Sequence, residues 1–308
     1  MLGGFYLQPT PAMKSPVVPT SGLSLAALVL GGVIIGLSPI LVRLSEIGPV
    51  ATAFWRVALA VLPLLAWRAT EDRKTRHNQR PSSFRDVVAL TVPGVMLAGD
   101  LLAWHVSIHL TSVANATLLA NIAPIFVVLG GWLLFRTTVT RTFLAGLALS
   151  VVGVVILSGG GGSASGGGSH LGGDAMAVFA ALFYAGYILA LSRLRSRYST
   201  LTTLLWSSAS AAICILPFAL VFEPAIWPTT LYAWAIVLAL AWLCHVCGQG
   251  LIIYALALLP ASFSSLTLLI QPVVAAGVAW LLLNEPLGAV QAFGGAIVIL
   301  GILLARRR

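Results

Sequence analysis

The sequence predicts an all-α polytopic membrane protein with ten transmembrane helices in two inverted five-helix repeats. Three observations predict this fold class: an apolar composition, ten apolar segments of spanning length, and basic residues that gather at alternate segment ends. Of 308 residues, 59% are hydrophobic and only 8% are charged, with a mean hydropathy of +1.02. Soluble domains carry about 25% charged residues, so the composition excludes a soluble globular protein.

A helix needs roughly 20 apolar residues to cross the hydrocarbon core of a bilayer. Ten segments meet this requirement: 23–44, 50–67, 87–109, 114–135, 142–158, 173–192, 201–222, 229–254, 261–283 and 289–305. They predict five parts of the chain: an N-terminal tail (1–22), a first five-helix repeat (23–158), a Gly/Ser-rich linker (159–172), a second repeat (173–305) and a basic tail (306–308).

The basic residues predict the orientation. With the N-terminus in the cytoplasm and alternating spans, fifteen of the 17 Lys and Arg residues fall on the cytoplasmic side, and Arg43 and Arg56 are the exceptions. This bias predicts cytoplasmic termini and a periplasmic linker in a bacterial inner membrane. The net charge of +9 is then a topology signal, and we expect no nucleic-acid partner.

The two halves of the chain are related in sequence. A shift of 148 residues aligns Pro124 with Pro272 and Trp132 with Trp280, and it also aligns two pairs of glycines, Gly146/Gly294 and Gly153/Gly301. Because each copy has five spans, the second copy must enter the membrane in the opposite direction. Inverted repeats are typical of secondary transporters, in which the binding site lies near the midplane between the copies.

Asp100 is the acidic residue that lies deep in an apolar segment, whereas the other seven acids lie at segment ends or in loops. A carboxylate in hydrocarbon is costly and marks a pathway by default. One hypothesis is that Asp100, with His105 as a second group, couples proton movement to transport. The alternative is a neutral or hydrogen-bonded carboxyl group that locks two helices together.

Further polar and aromatic residues inside the spans are candidates for a substrate cavity. We expect binding contributions from Arg56, Asn121, His245, Gln249 and Gln271, and aromatic walls from Trp55, Trp104 and Tyr254. Pro39, Pro124 and Pro272 are predicted to kink their helices and free backbone carbonyl groups for the cavity. The alternatives are helix-to-helix hydrogen bonds, prolines that only shape the helix, and pairing of Arg56 with a carbonyl group or Glu46.

The sequence shows no pair of carboxylates within the membrane spans that could act as general acid and base. It lacks a nucleophile elbow, a phosphate-binding loop and an H-E-x-x-H zinc motif. Cys244-His245-Val246-Cys247 has no second ligand pair at zinc spacing. We therefore predict no enzymatic activity, no metal site and no cofactor.

Several short motifs together resemble a known family: Ser38-Pro39 with Val42-Arg43, Phe54-Trp55-Arg56, Trp104-His105, residues 111–117 leading to Pro124, Pro272, and residues 283–287 followed by Gly294-Gly295. The chain resembles, over about residues 21–305, the EamA-type bacterial exporters of the drug/metabolite transporter superfamily. The resemblance implies ten helices in two inverted repeats, a central cavity and export of small metabolites such as amino acids.

The function predicted from the sequence is therefore secondary active export of small amphipathic metabolites through a central cavity by alternating access, with proton coupling as a hypothesis. The expected partners are the lipid bilayer and a small-molecule substrate, and the sequence leaves the oligomeric state open. Three alternatives remain: a drug or organic-cation effluxer, a lipid flippase with a cavity open sideways to the bilayer, and a non-transporting membrane scaffold.

Overall fold

A computed structural model describes residues 22–72, 75, 79–110, 113–159, 171–283 and 288–306. The predicted tails 1–21 and 307–308, the central linker residues 160–170 and the turn at 284–287 lie outside these ranges.

Ten helical spans follow one another in the described residues. They are α1 (Gly22–Ile35 and Ser38–Arg43), α2 (Pro49–Thr70), α3 (Phe84–Leu110), α4 (Val113–Ala120 and Ala123–Phe135), α5 (Arg141–Gly159), α6 (Leu171–Leu194), α7 (Thr200–Phe222), α8 (Leu231–Ala255), α9 (Ala261–Thr267 and Ile270–Leu283) and α10 (Ala289–Arg306). Every end lies within three residues of its predicted position. All ten are long and apolar enough to cross a membrane, which confirms the predicted fold class.

Three of the described spans, α1, α4 and α9, are each interrupted by two residues. Pro39 and Pro124 stand in the first turn of the second half of α1 and α4, and Pro272 is the third residue of the second half of α9. Proline fits the first turn of a helix because that turn needs no backbone donor. The breaks in α4 and α9 fall at equivalent places in the two copies.

Three other prolines do not interrupt their helices. Pro63 lies inside α2, Pro93 inside α3 and Pro217 inside α7, and all three helices are continuous. A proline in a span is therefore compatible with a break but does not determine one.

Span α8 changes its helical type in the middle. It runs as an α-helix over Leu231–Leu238, as a wider π-helix over Ala239–Gln249, and as an α-helix again over Gly250–Ala255. π-Helical turns are rare and often occur at functional sites. The sequence pattern gave no indication of this change.

Spans α5 and α10 pack backbone against backbone through glycines. A Cβ atom built on Gly301 would lie 2.7 Å from the carbonyl oxygen of Gly146, and one built on Gly294 would lie 2.9 Å from that of Gly153. Gly146 thus contacts Gly301, which is the repeat equivalent of Gly153. Gly153 in turn contacts Gly294, which is the repeat equivalent of Gly146. This cross-pairing requires antiparallel helices related by a local two-fold axis, as inverted copies demand.

The α5–α10 packing leaves no room for a side chain at Gly301. We expect Gly301→Val to destabilise the protein by about 1–3 kcal/mol, since overpacking forces the backbone apart. Melting of the purified protein in detergent measures the change. Gly277→Ala is the matched control, because a Cβ at Gly277 meets no atom within 4 Å; equal melting temperatures for the two variants would contradict the close contact.

The loops form corresponding contacts at the two ends of the bundle. At the end that carries most of the described basic residues, here called the basic face, Arg197 Nη1 lies 2.6 Å from Asp86 Oδ1. At the opposite end, the backbone N–H of Val50 donates to Glu223 Oε1 at 2.8 Å. Each contact joins the first turn of a helix of the first copy to a loop residue of the second, so the two copies are connected at both ends.

Candidate functional site

A cavity of ≈ 150 Å³ lies between the two copies. It is lined by residues of α1, α2, α3, α4, α6, α8 and α9, and therefore by both copies. Its polar lining consists of Ser38, Arg56, Asp100, Trp104, Asn121, Tyr184, His245, Gln249 and Gln271. Such a concentration of polar groups between apolar spans is typical of a transporter binding site.

The three helix breaks meet at this cavity. Gly36 and Ser38 of α1, Asn121 of α4 and Gln271 of α9 all line it. Non-helical backbone at membrane depth is tolerated where it lines a polar cavity. The three breaks meet this condition because they lie at the cavity.

The prolines at the breaks also change the backbone chemistry of the cavity wall. Pro39 and Pro124 have no N–H to donate to the carbonyl groups four residues earlier, those of Ile35 and Ala120. Ile35 and Ala120 both line the cavity. These carbonyl groups lose their usual helical donor and are available to accept hydrogen bonds from a solute or water.

Two opposite charges stand on the cavity wall. Arg56 comes from α2 and Asp100 from α3, and their side chains interact electrostatically. Arg56 is only 9% exposed, and its Nε atom has no hydrogen-bond partner among the described residues. A buried cation needs an opposite charge or a polar cavity nearby, and the acid on the same cavity wall is Asp100.

Amide and ring groups complete the polar wall. Gln271 lies beside the hydroxyl group of Tyr184, and His245 Nε2 lies 2.9 Å from Ser208 Oγ. The side-chain nitrogen atoms of Gln249 and Gln271 have no hydrogen-bond partner among the described residues. They are donors that a bound solute could satisfy.

Comparison with known proteins gives the family. The model of the EamA-like transporter family matches twice, over residues 21–159 and 171–307. The chain belongs to the EamA-like transporter family. The double match confirms the two related halves and places the protein among multi-pass membrane transporters.

Two relatives support this assignment. A protein of Archaeoglobus fulgidus described as an uncharacterized transporter is 28% identical over 271 residues, which cover 85% of this chain and 89% of that protein. The pseudopaline exporter CntI of Pseudomonas aeruginosa is 27% identical over 225 residues, which cover 73% of this chain and 77% of that protein. The names describe transporters, not enzymes.

A solved crystal structure shares the fold. It superimposes with a TM-score of 0.73 at 19% sequence identity and covers 93% of this chain and 96% of its own. At this identity the likeness concerns the fold alone, and the site has to be argued from the residues of this EamA-family chain.

The structure brings most of the predicted site residues to the cavity wall. The lining includes the following predicted residues: Pro39, Arg56, Asp100, Trp104, Asn121, His245, Gln249, Gln271 and Pro272. The residues Trp55, His105, Pro124 and Tyr254 do not line the cavity.

The four remaining residues have other surroundings. Trp55 packs against Trp227 and Trp234 and donates from Nε1 to the carbonyl oxygen of Ile226 at 2.6 Å. This aromatic cluster lies at the end of the bundle opposite the basic face. Trp55 is thus outside the cavity lining, which on α2 includes the neighbouring Arg56.

His105 is buried behind the wall, where its Nδ1 atom donates to the carbonyl oxygen of Leu101 and its ring contacts Trp104. Tyr254 lies beside Arg195 near the basic face, and Pro124 is buried just past the break of α4. The side chains of His105 and Tyr254 thus lie outside the cavity lining, whereas Pro124 stands where its predicted kink frees the carbonyl group of Ala120.

Two polar residues of the cavity lining, Ser38 and Tyr184, were not among the predicted site residues. Tyr184 lies on α6, which buries the small residues Ala177, Ala181 and Ala185 as well as larger ones such as Tyr187 and Ile188. A tyrosine in an apolar span is as compatible with packing as with a cavity, so the sequence alone did not single it out.

Proposed function

We propose that this EamA-family protein is a secondary active transporter of a bacterial inner membrane that exports small amphipathic metabolites, amino acids or related compounds, by alternating access. Substrate binds in the central cavity, and Asp100 couples its movement to protons. The N- and C-termini lie in the cytoplasm, so the basic face is the cytoplasmic face, in agreement with the positive-inside rule.

The opposed charges of Arg56 and Asp100 carry the proposal. A solute with an ammonium group and a carboxylate can place the first against Asp100 and the second against Arg56, since charge-assisted hydrogen bonds are the strong ones. Gln249 and Gln271 add donors, and Trp104 adds an apolar surface beside them. The wall thus offers one partner for each part of a small zwitterion.

The dimensions and charge of the cavity favour this substrate class over drugs and organic cations. The volume of ≈ 150 Å³ is below the range of about 300–1,000 Å³ in which drug-sized ligands are bound. An organic cation would need an uncompensated negative charge, but Arg56 interacts with Asp100. The direction of transport follows the name of one relative, an exporter.

Counterflow in liposomes tests the proposed function. Vesicles loaded with an unlabelled amino acid should accumulate the same labelled amino acid, and empty vesicles should not. A panel of neutral amino acids, the corresponding amines and the corresponding amides identifies which charges the site requires. Absence of counterflow for every zwitterion in the panel would refute the proposal.

A variant that fills the cavity should block transport without unfolding the protein. Ala275 lines the cavity from α9, and we expect Ala275→Phe to reduce counterflow at least tenfold by occupying the space of the solute. Leu281→Phe introduces the same ring on the same helix at a position that is 66% exposed on the outside of the bundle. This control should transport at the wild-type rate, and equal inhibition by both variants would count against the cavity as the pathway.

A further inference from the structure

We propose that a buried track of hydroxyl groups on α7, joined to the cavity by Tyr187, conducts protons between Asp100 and the basic face. The inference rests on the proposed function, because it gives the route by which a proton bound in the cavity leaves towards the cytoplasm. The ligand of the track is water, arranged as a hydrogen-bonded chain.

The hydroxyl groups of α7 occupy only one half of the helix. Five of them are buried and lie between its start at the basic face and its middle: Thr202, Thr203, Ser207, Ser208 and Ser210. Thr200, its first residue, is partly buried. The other half, residues 211–222, contains no serine, threonine or tyrosine. A helix that used hydroxyl groups only for packing would have no reason to confine them to the side between cavity and basic face.

These hydroxyl groups keep the capacity to accept hydrogen bonds. Ser207 and Ser208 both donate to the carbonyl oxygen of Leu204, and Thr203 donates to that of Ser199. A hydroxyl group has one proton but two lone pairs. Each oxygen can therefore still accept a hydrogen bond from a neighbouring water molecule.

Tyr187 connects this track to the cavity. Its ring lies 6.1 Å, centroid to centroid, from that of Tyr184 on the cavity wall, and its hydroxyl group lies beside Ser207 and Gln249. Tyr184 in turn is within the electrostatic influence of Asp100. Asp100 and Tyr184 line the same cavity, and Tyr187 is the polar residue that lies between Tyr184 and the hydroxyl groups of α7.

The Tyr187 hydroxyl group points to water as the ligand. Tyr187 is 0% exposed, and its oxygen has no hydrogen-bond partner among the described residues. Burial of an unsatisfied hydroxyl group is costly, and ordered water is the usual partner of such groups. A water molecule here would also reach the unpartnered side-chain nitrogen of Gln249.

The track ends at a charged pair on the basic face. Arg68 Nη1 donates to Thr202 Oγ1 at 3.0 Å, and the same nitrogen lies 3.9 Å from Glu71 Oε2. Glu71 Oε2 has no hydrogen-bond partner among the described residues. Among the described residues, Arg56, Asp100, Tyr184 and His245 lie at the cavity end of the track. At the other end, the ion pair of Asp86 with Arg197 and the side chain of Tyr198 lie beside the start of α7.

Tyr187→Phe tests the track, because it removes the hydroxyl group and keeps the ring. In proteoliposomes, amino-acid transport driven by a pH gradient, followed with a pH-sensitive dye, should fall at least fivefold. Counterflow at equal pH on both sides needs no net proton movement and should stay within twofold of wild type. Tyr198→Phe is the matched control: Tyr198 is also buried with an unpartnered hydroxyl group but packs with Leu90 and Leu194, off the track.

Two results would overturn the proposal: pH-driven transport of Tyr187→Phe within twofold of wild type, or an equal fall of counterflow in a folded variant. If Tyr187→Phe does not fold, Ser207→Ala is measured in the same two assays, with the same expected results. A wild-type protein that shows counterflow but does not respond to a pH gradient overturns the track and leaves substrate binding in place. A wild-type protein without counterflow refutes the proposed function itself.

Discussion

Replacement of Asp100 by Asn should reduce pH-driven transport by at least tenfold while the protein remains folded. Asparagine has nearly the same shape, so the change removes the charge and the exchangeable proton and little else. Asp100 is the acid that the sequence places deep in a span and that lines the cavity. The measurement is amino-acid flux into proteoliposomes under an imposed pH gradient, with Asp174→Asn, in the first turn of α6, as the control.

The competing interpretation of Asp100 makes the opposite prediction. If the carboxyl group only locks two helices together, Asp100→Asn lowers the melting temperature and leaves the transport rate per folded molecule unchanged. Measurement of both quantities on one preparation separates the two interpretations. Full pH-driven activity in a folded Asp100→Asn protein would end the coupling hypothesis.

Replacement of Arg56 by Gln should weaken substrate binding by roughly 30–150-fold. A hydrogen bond to a charged group contributes about 2–3 kcal/mol, and every 1.4 kcal/mol is a factor of ten in affinity. The substrate's carboxylate would lose its partner, whereas its ammonium group would keep Asp100. Competition of counterflow by an amino acid and by its amide measures the effect: wild type should prefer the acid, and Arg56→Gln should not distinguish them.

The double variant Arg56→Gln/Asp100→Asn provides the control for stability. Each single change leaves one buried charge uncompensated, which costs about 3–5 kcal/mol in a dry interior and less in a polar cavity. The double change removes both charges and should recover the melting temperature without recovering transport. Recovery of transport in the double variant would show that the pair is structural.

The sequence predicted the fold in considerable detail for a simple physical reason. A bilayer requires some 20 apolar residues per span and satisfied backbone groups throughout, so the spans are readable from hydropathy alone. The breaks at Pro39, Pro124 and Pro272 were also readable as kinks. A proline inside an apolar span also occurs at Pro63, Pro93 and Pro217, but these helices are continuous. The sequence cannot separate the two cases, because the packing around each proline decides whether its freed carbonyl group lies at a cavity.

The site was predicted less completely, and helical geometry explains only part of the errors. Successive residues of a helix point about 100° apart, since 3.6 residues make one turn. On α2 the cavity lining includes Arg56 but not the adjacent Trp55, and on α3 it includes Asp100, Leu101 and Trp104 but not His105. Tyr254 lies nine residues after His245, and the chain between them passes from the π-helix into the last α-helical part of α8, so regular α-helical spacing does not give its direction.

The remaining part of the site depends on features without a local sequence signal. The π-helix in α8 sets the positions of His245 and Gln249, and nothing in its composition distinguishes it from an α-helix. Tyr184 reaches the cavity because α6 packs against both α3 and α4. Such packing results from the whole bundle and cannot be read from a single segment.

The cross-paired glycines of α5 and α10 bear on how the chain could have arisen. A two-fold contact of this kind is what two separate, identical molecules would make if one entered the membrane upside down. Fusion of two such molecules into one polypeptide fixes a single orientation for each. Once fused, the halves are free to diverge, so that an acid such as Asp100 can be kept in one half and omitted from the other.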